Sequence, residues 1–192
     1  MAIKDTQVIT GKVRFSFCHL FEPYEGKDGD SKAKYSVTLL IPKADKATLA
    51  KIKAATKAAA DKYRDKNGAK SFPEKYNNTI HDGDGVRESG EPYGEECRGC
   101  YVITVTSNKK PMCFDKFKNE ITDPDEIYSG CYGRASINFS AYNHKGKKGV
   151  SGYVNSVMKL HDGEPLGGAV ATADDYDDDY EDDYDDDLDG LL

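Results

Sequence analysis

Tyr132-Gly133-Arg134-Ala135-Ser136-Ile137-Asn138-Phe139-Ser140-Ala141-Tyr142 reads as one β-strand, and the fold is worked out from it. Ala135, Ile137, Phe139 and Ala141 share one face; Tyr132, Arg134, Ser136, Asn138, Ser140 and Tyr142 share the other. A period of two is what a strand with one buried face requires. Asn143-His144-Lys145-Gly146-Lys147-Lys148-Gly149 then turns the chain, and Val150 to Leu160 returns beside it. On the return, Val150, Val154 and Met158 are expected on one side, Tyr153 and Asn155 on the other. The product is a long hairpin with a basic tip.

Working back toward the N-terminus, more strands appear. Val13, Phe15 and Phe17 alternate with Arg14, Ser16 and Cys18, which predicts a first strand with those three apolar residues inward. Glu22 to Ser31 is a loop rich in glycine and charge. Lys34 to Pro42 is a second strand, with Tyr35, Val37, Leu39 and Ile41 on one face and Pro42 as its stop. Asp45 is placed to cap a helix that runs to about Asn67, with Gly68 past its end. Leu49, Ile52, Thr56, Ala59 and Tyr63 line its packing side. Residues 69–99 are broken by Gly83, Gly85, Gly90, Gly94 and Gly99 and by Pro73 and Pro92, so a long irregular stretch is expected. Cys100 to Ser107 is a strand heavy in Val, Ile and Thr. Pro111 to Phe114 is a further short strand, and Thr122 to Glu126 a turn.

Charge divides the chain in two. The whole carries -7, but Asp174 to Leu192 alone holds twelve acids and no base. Taking those twelve from the total of 34 leaves 22 acids against 27 Lys and Arg, about +5 for residues 1–173. An acidic block repels itself and has too little apolar surface to form a core, so residues 174–192 are expected to be a disordered tail. Tyr176, Tyr180, Tyr184, Leu188 and Leu192 recur in it at every fourth position. Anionic groups with regularly spaced rings imitate a strand of phosphates and bases. Residues 1–163 are the expected domain and 164–173 a linker. Five cysteines and no apolar segment in the first residues point to free thiols in a reducing cytoplasm. No apolar run approaches the ~18 residues of a membrane span.

The polar face of the opening strand carries rings, a cation and hydrogen-bonding groups with no acid among them. A base stacked on an aromatic ring gains about 1–3 kcal/mol whatever its identity, while cations follow the backbone. Tyr132, Arg134, Asn138 and Tyr142, with Tyr153 and Tyr101, are the candidate contacts. Lys12, Arg14 and Lys34 extend the basic surface, and Lys145, Lys147 and Lys148 suit a finger closing on phosphates. An ordinary solvated sheet face and a solubilising turn are the plainer alternatives. Cys97 and Cys100 have the spacing of half a zinc site, with His81, Cys113 or Cys131 as remote completions; buried thiols are the commoner outcome. His81-Asp82-Gly83-Asp84 reads as a turn. Nothing in the sequence requires a cofactor, and no phosphate-binding loop, nucleophile elbow or zinc-protease motif is present.

Three runs carry a resemblance: Tyr128-Ser129-Gly130-Cys131-Tyr132-Gly133-Arg134-Ala135-Ser136-Ile137-Asn138-Phe139, then Ala141-Tyr142-Asn143, then Lys159-Leu160-x-Asp162-Gly163-Glu164-Pro165-Leu166-Gly167-Gly168. With Gly11-Lys12-Val13-Arg14-Phe15-Ser16 and Tyr35 to Lys43, they resemble a family of bacteriophage single-stranded DNA-binding proteins over nearly the whole chain. The resemblance implies a mainly β, OB-fold-like antiparallel barrel with one packing helix. It implies a non-enzymatic binder of single-stranded DNA in phage replication or recombination, in the host cytoplasm. The tail would compete for the DNA groove and recruit replication or recombination proteins. A homo-oligomer is expected, with a dimer favoured. The alternative is a DNA mimic or interaction module that blocks another DNA-binding enzyme. The tail ends in Leu191-Leu192 rather than the Pro-Phe of bacterial relatives. The helix follows the second strand, where OB-folds commonly place it after the third.

Overall fold

The structure is a computed structural model that describes residues 4–25 and 32–167. The expected tail, the linker beyond Gly167 and residues 26–31 of the first loop lie outside the described residues. In chain order the elements are β1 (Gln7–Ile9), β2 (Val13–Tyr24), β3 (Lys34–Pro42), α1 (Lys46–Asn67), β4 (Asn77–Asn78), β5 (Ile80–Asp82), β6 (Cys100–Ser107), β7 (Met112–Phe114), β8 (Tyr132–His144) and β9 (Lys147–His161).

Five of these strands close on themselves. β2 pairs with β3, β3 with β6, β6 with β9, β9 with β8, and β8 with β2. All the pairings are antiparallel except β6 with β9. Closure removes the unpaired edges that an open sheet exposes. This is the five-stranded Greek-key barrel of the OB-fold, as the sequence leads one to expect. The helix does stand between the second and third barrel strands, so the topology is elaborated and no barrel strand is missing.

Inward residues from every strand fill the ring: Phe15, Leu20, Val37, Leu39, Ile41, Ile103, Val105, Ala135, Ile137, Phe139, Val150, Val154 and Val157. Burying one such Val, Ile, Leu or Phe contributes about 1.5–3 kcal/mol. Gly133 is what lets β8 approach β2, since a Cβ there would stand 2.6 Å from the Phe15 ring and 2.4 Å from the Met158 carbonyl oxygen. The Asp45 carboxylate accepts the Thr48 amide at 3.0 Å, and Gly68 (φ 102) donates its amide to Arg64, fixing both ends of α1. Thr48, Ile52, Ala55, Thr56, Ala59 and Ala60 are its buried residues, and it packs on β1 and β8. It is not long and apolar enough to cross a membrane.

Three expectations are corrected. Phe17 does not join Val13 and Phe15 inside: it lies 60% exposed at φ 47, where the β2–β3 register shifts between Ser16 and His19. Met158 is not on the Val154 side. An irregularity between the Val154 and Ser156 pairings inverts the alternation, and Val157 takes the core position. The hairpin tip is also shorter than Asn143–Gly149. Strand pairing runs to His144↔Lys147, leaving Lys145 and Gly146, both at positive φ, as a two-residue turn of the I′ kind. Within 69–99, the short strands β4 and β5 pair with β9 and β6.

Candidate nucleic-acid interface

Directly paired residues put their side chains on the same face of a sheet. Three rows therefore cross the outside of β2, β3 and β6: Arg14–Leu40–Val102, Ser16–Thr38–Thr104, and His19–Ser36–Thr106. The last row continues through Tyr153 to Asn138. Tyr24 stands opposite Lys34 beyond it. The Thr38 and Thr104 hydroxyls are 2.9 Å apart and hydrogen-bonded, giving a polar floor without charge.

One end of this face is covered and the rest is open. Residues 83–99 fold over Leu40 and Val102, where Cys97 is buried and Tyr93 packs beside it. Both ends of that loop are tied to the end of β3. The Lys43 ammonium sits 2.6 Å from Asp82 and 2.7 Å from Asp84, and the Asp84 carboxylate also accepts the Gly99 amide at 3.0 Å. The hydrogen bond from Lys43 holds both carboxyls below the usual aspartate range. The C-terminal segment comes to the same place. Arg14 donates to the Gly130 and Glu164 carbonyls at 3.1 and 2.6 Å, Leu166 donates its amide to Ser129, and the Leu166 side chain packs on Leu40, Cys97 and Val102.

Between these covers lies a groove of about 310 Å³, lined by Ser16, Phe17, Thr38, Leu40, Arg87, Tyr93, Glu96, Cys97, Val102 and Thr104. Phe17 projects from the β2 irregularity as an exposed ring. A non-glycine residue in the left-handed region is uncommon and marks a held conformation. Arg87 lies 5.2 Å from the Tyr93 ring centroid, and the His19 and Tyr24 rings stack at 4.6 Å. The arrangement offers flat rings on a hydroxyl floor, suited to bases held by stacking.

The residues singled out from sequence fall in several places. Tyr153, 36% exposed, borders the groove through Thr106, and Lys34 stands exposed beside Tyr24. Tyr132 stacks on His161 at 4.8 Å, with Lys12 and Arg14 5.8 and 5.5 Å from its centroid, one strand round the ring from β2. Arg14 itself is occupied by the carbonyls it holds. Arg134 donates through Nε to Thr10, Asn138 accepts from Thr6, and Ser136 accepts from Gln7, so much of the β8 polar face is engaged with β1 and the residues flanking it. Tyr101 has the inward parity of Ile103 and lies under Lys43, 5.3 Å from its ammonium. Tyr142 lines a separate hollow with Asn77, Asn78 and His81. Lys145 and Lys147 are exposed at the hairpin tip and Lys148 is half-buried.

Phe17, His19, Tyr24, Arg87 and Tyr93 were not found from the sequence. The one available signal was the density of rings from Phe15 to Tyr24, too many for a single buried face. Cys97 and Cys100 behave as packing residues. Burial pushes the Cys97 thiol up to about 11, and among the described residues no three His, Cys, Asp or Glu gather as a metal site.

A closed Greek-key barrel with its open groove across the second and third strands defines an oligonucleotide- or oligosaccharide-binding barrel. Comparison with known proteins narrows the class. The family model described as "Enterobacter phage Enc34, ssDNA-binding protein" matches residues 6–188. The structure of the bacteriophage Enc34 single-stranded DNA-binding protein in complex with ssDNA aligns with a TM-score of 0.72 at 31% identity, covering 85% of this chain and 91% of that one. Protein p50 of Acyrthosiphon pisum secondary endosymbiont phage 1 is 31% identical over 172 residues, 86% of this chain and 89% of its own. Gp2.5, a single-stranded DNA-binding protein of bacteriophage T7, shares the fold with a TM-score of 0.55 at 15% identity, over 92% of this chain and 96% of that one. The chain belongs to the phage single-stranded DNA-binding protein family typified by that of Enc34.

Proposed function

We propose that this protein coats and protects single-stranded DNA during phage replication or recombination, as a binding protein and not an enzyme. The DNA lies in the groove across β2, β3 and β6. The observation that carries this reading is Phe17: an exposed ring, held at positive φ, over a floor of hydroxyls on the strands that OB barrels use for ligands. Phe17, Tyr93, Tyr24 and Tyr153 stack bases, which makes binding tolerant of sequence. Lys34 beside the first barrel loop, Lys12, and the tip lysines Lys145, Lys147 and Lys148 meet phosphates. Tyr132, Tyr142, Arg134 and Asn138 are outlying contacts for a longer strand.

The acidic tail competes for the same groove and recruits partner proteins when DNA displaces it. Two facts support this. The tail's charge is opposite to that of the rest of the chain. Its root, Glu164 to Gly167, is anchored at the covered end of the groove, and the 25 residues beyond reach at most about 90 Å. The test is oligo-dT affinity against salt for the full chain and for residues 1–173. The shorter chain should bind more tightly at low salt. Equal or weaker binding by it overturns the competition, and no binding by either chain overturns the groove.

A further inference from the structure

Beyond the groove, one exposed ring among the described residues is left without a role. β6 and β7 lie along the same side of β9, both parallel to it, because β8 occupies its other side throughout. β7 therefore continues the line of β6, and the outward line Thr104–Thr106 runs on through Met112 and Phe114. The connection between them carries Lys109 and Lys110, the latter 5.0 Å from the Phe21 ring of β2. At the far end the chain turns at Asp115-Lys116-Phe117-Lys118-Asn119, and Phe117 is 72% exposed at the apex.

The turn is rigid. The Asp115 carboxylate accepts the Phe117 amide at 2.8 Å, the Asn119 amide at 2.9 Å and the Asn119 side-chain amide at 2.9 Å. The Asp115 amide donates to the Asn119 carbonyl, and the Lys118 amide, at φ 69, donates to the Asp115 carbonyl. Below it, Ile121 donates to Cys113 and Phe114 bridges to Glu120. These bonds hold the backbone of the turn, and the Phe117 ring projects from it into solvent. Its neighbours are both cations, and Lys116 lies 5.2 Å from the ring. A flat ring between ammonium groups offers a base its stacking partner and a backbone its counter-charge.

We propose that Phe117, with Lys116 and Lys118, is a second contact for single-stranded DNA, a rigid finger that stacks a base of the strand leaving the groove past Lys109 and Lys110. It rests on the groove reading above. It acts only on strands long enough to reach from the groove to the turn, and it sets the footprint of one copy along the DNA.

The chain contains no tryptophan, so Phe117→Trp places a single indole reporter at the apex. The full-length variant is titrated with labelled oligo-dT of about 6 and about 25 nucleotides, one near the lower end of the usual OB-fold site sizes and one beyond their upper end. Label anisotropy reports binding, and indole emission reports stacking. Both oligonucleotides should bind, but only the longer should quench the indole. Phe117→Ala should weaken the longer one by about 5- to 100-fold and leave the shorter unchanged. If both bind without quenching and Phe117→Ala loses nothing, the finger is wrong while the groove stands. If the indole changes with protein concentration alone, the ring meets a second copy and the finger is equally wrong. If neither oligonucleotide binds, the groove reading fails first and the finger with it.

Discussion

At Phe17 the proposed base stacking is set against stability in one residue. At φ 47 a phenylalanine is strained by about 1–3 kcal/mol, and its exposed ring forgoes the burial that Phe15 enjoys two positions earlier. Glycine takes that backbone conformation without strain. Phe17→Gly should therefore keep or raise the melting temperature while weakening a short oligo-dT by about 5- to 100-fold. Unchanged affinity would remove the ring from the groove. Asp84 shows the opposite economy, a surface carboxylate that holds a loop. Its folded pKa lies below its unfolded value because Lys43 and the Gly99 amide hydrogen-bond the anion. Such a group stabilises the fold above its unfolded pKa and loses that contribution as pH falls through the folded one. Asp84→Asn should thus be less stable than the parent at neutral pH, with the gap closing as pH drops below the ordinary aspartate value of 3.8. Denaturant melts across pH measure it, and a gap independent of pH would show that the charge is idle.

At the scale of elements, local rules served well where the chain is regular. Lys34–Pro42, Cys100–Ser107 and the Asp45-capped helix can be read from alternation, β-branched density and end signals, and the structure has them at those bounds. Alternation misleads wherever one irregular residue inverts it, as at Phe17 and beside Asn155, because the pattern contains no mark of the inversion. The groove was hidden for a related reason. Its floor is Ser and Thr, common on any solvated strand, and it takes shape only when β2, β3 and β6 lie side by side across a long separation in sequence. The hairpin tip was visible as basic but not as stiff. Because Lys145 and Gly146 form a two-residue turn, the backbone that carries its lysines is paired to the end of the hairpin rather than looping free. Replacing Lys145, Lys147 and Lys148 together by Gln should lower the slope of log K against log salt by up to about 2, at roughly 0.7 per phosphate on a single strand. An unchanged slope would mean that the tip does not meet phosphate.

Over the whole molecule, net charge conceals the arrangement that matters. By its total of -7 the chain is ill-suited to a polyanion, yet its first 173 residues are cationic and twelve of its acids cluster at one end. Salt should separate the two. The affinity advantage of residues 1–173 over the full chain should shrink as ionic strength rises, since the screening length falls from about 30 Å at 0.01 M to about 3 Å at 1 M. A difference that survives high salt would point to contacts of the tail's rings rather than its charge. One consequence follows from Leu166. The same short stretch that seals the groove's greasy end is the mooring of the acidic leash. Force applied beyond Gly167 is therefore carried through Leu166 and the Glu164 carbonyl into that wall.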